Sequence, residues 1–404
     1  MTIAGRFTRR SPRYRWVILG VATFTQATAG FFVQGIGAIG VHLQRDLGLS
    51  TTQLGLLLAA AQLVPLVGLL VAGELLDRYN ERWVVGAGAG VVALSLCVGS
   101  VAPGYVSLLL VLLLVGAGYS TVQPGGSKSV ASWFGASQRG LAMGIRQAGL
   151  PLGGVVAAAV LPLLAAGPGW RATLTAGGLV ALLGAVAFVG FYRPPPDQSF
   201  PRQAVARRAM VRGSRLAMLR EPFMVKVILS GVCLVSVHSG IGVLTVLHLY
   251  ETTSVGVGTA ALILVATQGA GAIGRICLAA WSDRGKSGRF ATVMTCMAAV
   301  TVGMALLMTP IGRSPAMACL LFVWLGFFGI GWYGPWVTYL TESAPPRQTG
   351  SALGVAMAIT QIAVILAPPA LGLLKDMTDS FVPAWGTLTA ITALATAWLC
   401  RRTR

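Results

Sequence analysis

An arginine set inside a long apolar run restricts what this chain can become more than any other feature. The stretch GAGAIGRICLAAWSDRGKSGR, residues 269–289, places Arg275 among small and apolar neighbours. It is followed by a short charged turn, Ser282-Asp283-Arg284-Gly285. In a membrane helix a charge at that depth costs about 2.5–3.5 kcal/mol on insertion scales and more in simulations, so it marks a functional site by default.

The composition says that the run is indeed a membrane helix. Of 404 residues, 55% are hydrophobic and 10% charged, against about 25% charged in soluble domains. The 52 glycines suit helices that pack closely in lipid. Apolar stretches run roughly 16–41, 53–73, 83–101, 105–133, 140–166, 172–192, 223–249, 255–281, 290–309, 315–341, 350–374 and 381–399. The expected fold is therefore an all-α membrane protein with twelve transmembrane helices, each about 20 residues long.

The net charge of +19 would suggest nucleic acid in a soluble chain, but here its distribution excludes that. With the amino terminus inside, 23 of the 30 basic residues fall on the cytoplasmic side, from Arg6, Arg9, Arg10, Arg13 and Arg15 to Arg401, Arg402 and Arg404. Arg45, Arg171, Arg313 and Lys375 fall outside, and Lys128, Arg146 and Arg275 lie within spans. This asymmetry places both termini in the cytoplasm of a cell-membrane protein; the charge orients helices and touches anionic lipid heads. The first apolar run is too long for a signal peptide and is read as a retained helix. The six cysteines are scattered singly, with no paired spacing, so neither a metal site nor a disulfide framework is indicated. No cofactor is expected, and with no P-loop and no catalytic triad the chain is not read as an enzyme.

Residues 193–221, with four prolines and seven arginines, cannot span a bilayer. They are read as a cytoplasmic linker, with a basic surface helix over 203–219. They divide the chain into a six-helix bundle over 1–192 and another over 222–404. The two halves echo each other. Asp77-Arg78 recurs as Asp283-Arg284, Gly140-Leu-Ala-Met-Gly144 as Gly350-Ser-Ala-Leu-Gly354, and Pro124 as Pro335, at offsets of 206, 210 and 211. Such an offset implies a parallel duplication, an arrangement that binds substrate near the midplane at the repeat interface. The fourth span is expected to break at Gln123-Pro124-Gly125-Gly126, and His42, Arg45 and Asp46 to form the first outer loop.

On the 6+6 layout and on Gly73-x-Leu75-x-Asp77-Arg78-x-x-x-Arg82 with its echo at Asp283-Arg284, the chain resembles the major facilitator superfamily over nearly its whole length. It departs from that signature at Asn80 and Glu81, where glycine and a basic residue are usual. The resemblance implies a conformational latch made of Gly73, Asp77, Arg78, Arg82, Asp283 and Arg284. In it, Asp77 holds neighbouring helix ends or Arg82 and releases them when the cytoplasmic mouth opens. The other reading is a helix cap with an exposed ion pair, worth at most about 1 kcal/mol.

All eleven acids sit at span ends or in the linker. Carriers of cations need an embedded carboxylate; here the embedded charges are positive, so the partner sought is an anion. Arginine offers carboxylates a planar fork. Arg275 stands about 12 Å from the end of its helix, at 1.5 Å per residue. Gly274-Arg275-x7-Asp283-Arg284 resembles the eighth helix of oxalate/formate, monocarboxylate and nitrate/cyanate carriers, which implies that Arg275 binds substrate. Arg146 is a second candidate, lining the cytoplasmic vestibule. Lys128 is close enough to a helix end to snorkel to the interface. His238 is the embedded group suited to carry a coupling proton. Trp332 and Tyr333, with Trp336 and Tyr339 nearby, resemble the aromatic wall of oxalate-type carriers. Tyr119, Gln123, Gln34 and Gln361 are polar candidates on other spans. A lysine of oxalate-type carriers is missing from the eleventh span, which points to a monoanion.

The function expected is secondary active transport, by alternating access, of a small organic anion such as a monocarboxylate, in symport with a proton. The chain is read as a monomer whose partners are the anion and the bilayer. The alternative is an efflux pump for drugs or hydrophobic metabolites, with its arginines structural.

Overall fold

The computed structural model describes residues 13–49, 51–195, 218–284, 288–345 and 348–401. Among these, twelve helices are long and apolar enough to cross a membrane. They are α1 (Tyr14–Gly35), α2 (Gln53–Arg78), α3 (Glu81–Gly99), α4 (Tyr105–Trp133), α5 (Ala136–Ala166) and α6 (Trp170–Phe191), then α7 (Pro222–Thr252), α8 (Gly258–Arg284), α9 (Arg289–Leu307), α10 (Pro315–Ser343), α11 (Thr349–Thr378) and α12 (Val382–Arg401). The linker over 196–217, with most of the expected surface helix, lies outside the described residues, as do Arg6, Arg9, Arg10, Gly285, Arg402 and Arg404.

Two compact units emerge. One lies within Met1–Gly135, Ile145–Leu216 and Ala344–Ala358, the other within Ala136–Gly144, Ala217–Ser343 and Ile359–Arg404. In each, small residues set the helix spacing, since lipid gives helices no hydrophobic reason to associate and van der Waals fit must do so. In the first unit Gly118 of α4 lies on Gly88 of α3, where an added methyl would come within 2.5 Å of the Gly88 carbonyl oxygen. In the second, Gly274 of α8 lies on α10, where a methyl would meet the Gly331 Cα at 3.2 Å. The neighbouring residue, Arg275, is thereby held against α10.

Three local expectations are corrected. The expected break in α4 is absent: the helix runs through Pro124 without interruption. The carbonyls of Val122 and Gln123 beside it receive an arginine from α5. The interruption falls instead in α10, read from the sequence as continuous. Helical segments Pro315–Gly329 and Tyr333–Ser343 are separated by three residues. Pro335 has no N–H to offer the carbonyl four residues back, that of Gly331, and crowds it. Finally, His42, Arg45 and Asp46 lie on a short helix, Gly40–Leu47, not in a loop. It is closed by Gly48 in the left-handed region at φ 61°, the usual role of glycine just past a helix end.

Candidate functional site

In the second unit the chemistry gathers where α8 meets the interruption in α10. Arg275 is buried, with 6% of its surface exposed. Its Nε donates to the carbonyl of Ile330 at 3.3 Å, a carbonyl that an unbroken helix would have paired with the amide of Gly334. The guanidinium carbon lies 6.0 Å from the centre of the Tyr333 ring, at the limit for a cation–π contact. His238 of α7 is half-buried and interacts electrostatically with Arg275. The structure therefore joins three expected site residues, Arg275, Tyr333 and His238, from three helices. Trp332 is fully buried and packs edge-on against Tyr333 and Trp336, with ring centres 5.1 and 5.4 Å away. Trp336 donates to the Val227 carbonyl at 2.8 Å, which ties α10 to α7. Tyr339 stands apart, against Phe290. Gln361 is half-buried on α11 in the same unit.

The first unit holds the other embedded arginine. Arg146 is fully buried. It donates to Gln26 Oε1 at 2.8 Å, Ser127 Oγ at 2.9 Å and the carbonyls of Val122 and Gln123 at 3.0 and 2.7 Å. Gln26 in turn donates to the Tyr119 hydroxyl at 3.2 Å. Tyr119, Gln123 and Arg146 thus share one network, which includes Gln26 and Ser127. Gln34 is two turns beyond Gln26, exposed, beside Gly154. The two arginines have something in common. Each reaches the backbone of the proline-bearing helix of its own half, Arg146 just before Pro124 and Arg275 just before Pro335.

The duplicated Asp-Arg pairs each hold a helix start. The Asp77 carboxylate accepts from the amides of Gly350 and Ser351 at 2.8 and 2.7 Å, at the beginning of α11. Asp283 accepts from the amides of Gly140 and Leu141 at 2.8 and 2.7 Å, near the beginning of α5. At α11 the carboxylate meets first-turn N–H groups without helical partners and the positive end of the helix dipole; at α5 it meets the second turn. Gly73 lets the first pair close, since a methyl on it would come within 3.1 Å of the Gly350 carbonyl carbon. Asp77 does not turn to Arg82: the Arg82 Nε donates to the Val189 carbonyl at 2.6 Å and its guanidinium covers the Trp83 ring. Arg78 pairs with Glu74 within its own helix. Arg284 is exposed; the arginine that engages Asp283 is Arg289, which also reaches Glu342 at 3.2 Å, and Glu342 is met by Arg139 at 3.3 Å. Arg289 was legible in principle, since it follows Asp283 by six residues as Arg82 follows Asp77 by five.

The departures at Asn80 and Glu81 have a local explanation. Asn80 caps α3, its side chain accepting from the Arg82 amide at 2.9 Å. Glu81 is buried, with 1% exposed, and faces Lys128 at 3.3 Å; Lys128 also approaches Asp77 at 3.5 Å and donates to the Leu76 carbonyl. Lys128 therefore does not snorkel outward; it turns inward to two carboxylates. Tyr192, just past α6, donates to Glu81 at 3.2 Å and stacks on Phe188. Burial first, and then the negative charge of Glu81, hold its phenol well above the usual value, so it remains a donor.

We expect Asp77→Asn and Asp283→Asn each to slow turnover about tenfold or more, because a hydrogen bond to a charged group contributes about 1.5–3 kcal/mol. Initial-rate measurements should show maximal velocity falling while KM stays nearly constant. An unchanged velocity would make these pairs ordinary helix caps.

Twelve membrane-crossing helices, a parallel repeat and embedded polar clusters define a polytopic membrane transporter. The family model described as the Major Facilitator Superfamily matches residues 3–368, and the chain belongs to that family. An uncharacterized MFS-type transporter of Mycobacterium tuberculosis is 28% identical over 92% of this chain and 81% of its own. A hexuronate transporter of Bacillus subtilis is 29% identical over 41% of this chain and 39% of its own. A probable sulfoacetate transporter of Cupriavidus necator is 26% identical over 46% and 43%. Among solved structures, the proton:xylose symporter XylE aligns with a TM-score of 0.77 over 96% of this chain and 95% of its own, at 17% identity; that likeness concerns the fold.

Proposed function

We propose that this transporter carries a small organic anion bearing one carboxylate and that Arg275 binds it. The observation that carries this reading is a guanidinium buried to 6% exposure in a chain whose acids all lie at span ends or in the linker. Two relatives support it, one named for hexuronate and one for sulfoacetate, both organic anions. The half-buried Tyr333 beside Arg275 offers a hydroxyl to the same carboxylate. His238 is the group proposed to take a co-transported proton. An imidazolium near Arg275 repels it, and a bound anion relieves that repulsion, so proton and anion favour each other's binding. The sequence asymmetry supports a cell-membrane location with both termini cytoplasmic, and a monomer suffices for this mechanism.

The test is counterflow into proteoliposomes with labelled glucuronate, galactonate and acetate beside a neutral hexose. We expect saturable uptake of at least one acid, accelerated by an inward proton gradient, and no uptake of the hexose. Extrusion of neutral hydrophobic dyes without uptake of any acid would instead establish the efflux reading. Acid uptake indifferent to the proton gradient would remove His238 from the mechanism and leave Arg275 in it.

A further inference from the structure

Each capping aspartate has a cation beside it, and each of those cations also faces a second carboxylate. In the first unit Lys128 of α4 stands between Asp77 and Glu81, the first residue of α3, at 3.5 and 3.3 Å. In the second unit Arg289, the first residue of α9, stands between Asp283 and Glu342 of α10. The signs are exchanged between equivalent places. One unit has its acid on α3 and its cation on α4; the other has its cation on α9 and its acid on α10. Lys128 follows Pro124 by four residues and Glu342 follows Pro335 by seven, positions on one face of a helix, a turn apart. What both units keep is a cation held between the capping aspartate and a second acid, whichever helix supplies it.

Lys128 is bound closely to neither acid. Its hydrogen bond goes to the Leu76 carbonyl, and both carboxylates stand beyond the length of a charge-assisted bond, about 2.7–2.9 Å. The Glu81 Oε1 that faces it has no hydrogen bond, and Glu81 is buried. Asp77 is held instead by the amides of Gly350 and Ser351. An aspartate that let go of them would be a part-buried charge without donors, which is costly. Lys128 is the cation within reach, and a movement of about 1 Å brings its ammonium to bonding distance. We infer that Lys128 is a positioning residue of the transport cycle. It receives the Asp77 carboxylate when the start of α11 draws away, and Glu81 pulls it back so that the cap re-forms. This role depends on Asp77 acting as the latch of an alternating-access transporter, and is independent of the anion carried.

Hydrogen exchange of the full-length protein in lipid nanodiscs, read by mass spectrometry at the Gly350 and Ser351 amides, follows the cap directly. These N–H groups lie in the first turn of α11, where the helix supplies no acceptor, so their protection tracks the carboxylate. Asp77→Asn should raise their exchange about tenfold or more, which tests the latch apart from Lys128. Lys128→Met removes the receiver of the released carboxylate, so exchange should slow about tenfold. Glu81→Gln leaves the ammonium to Asp77 alone, so exchange should quicken by a similar factor. A merely structural cluster would not give opposite signs, because either change would leave a buried charge unmatched and loosen the cap. Glu81→Gln combined with Lys128→Met removes both charges and spares the fold an unmatched one. Since Glu81 acts through Lys128, that double variant should exchange as Lys128→Met does alone, a coupling that separate roles would lack. Faster exchange in both single variants, or exchange unchanged in both, would overturn the inference while leaving Asp77 as the latch. Exchange indifferent to Asp77→Asn would remove the latch, and the role of Lys128 with it.

Discussion

Arg275→Ala should reduce anion uptake by at least about thirty-fold, since truncating one partner of a buried, hydrogen-bonded charge pair costs about 2–5 kcal/mol or more. The loss should fall on kcat/KM. Arg275→Lys should recover only part of it, because an ammonium retains the charge but not the planar fork that holds both oxygens of a carboxylate. The alternative explanation of a loss is structural, for Arg275 also bonds the Ile330 carbonyl at the interruption in α10. The lysine variant separates the two. A side chain needed only to brace α10 would leave the two variants alike in unfolding temperature and uptake once folded protein is matched. A side chain that binds substrate would rank them by charge, and substrate would protect wild type against heat but not the alanine variant. Full uptake by well-folded Arg275→Ala would end the case for anion recognition at this residue.

What could be read from the sequence follows from how local each signal is. The twelve spans are set by hydropathy over about 20 residues, and the structure places a helix on each. The repeat was visible because Asp77 and Asp283 keep both their neighbours and their spacing. The two prolines were harder. Pro124 and Pro335 look equivalent in sequence, yet α4 tolerates one and α10 opens at the other. The contacts around each are tertiary. Arg146 donates to the carbonyls of Val122 and Gln123 beside Pro124, and the Arg275 Nε donates to the carbonyl of Ile330 where α10 opens. Neither arginine is near its proline in sequence. Lys128 was misjudged for a similar reason: its distance from the helix end was readable, but the direction of its side chain depended on Glu81, a residue of another helix buried beside Asp77.

Arg146 is the residue whose loss should most damage the fold. Its guanidinium satisfies the amide oxygen of Gln26, the hydroxyl of Ser127 and two main-chain carbonyls of α4. Alanine would leave these acceptors in a buried space without that donor, and each one left unmatched costs about 1–3 kcal/mol. The two α4 carbonyls keep the backbone bonds of an uninterrupted helix, so the loss falls mainly on Gln26 and Ser127 and amounts to a few kcal/mol, a large share of the roughly 5–15 kcal/mol typical of folded proteins. In a thermal melt that corresponds to a fall of roughly 5 °C. The partner that tests the assignment is Gln26. If the Arg146–Gln26 bond is a main source of the loss, Gln26→Leu combined with Arg146→Ala should cost less than the sum of the single changes, as coupled neighbours do. Independent, additive losses would place the energy at Ser127 instead. A melt unchanged by Arg146→Ala, together with impaired uptake, would assign Arg146 to substrate after all.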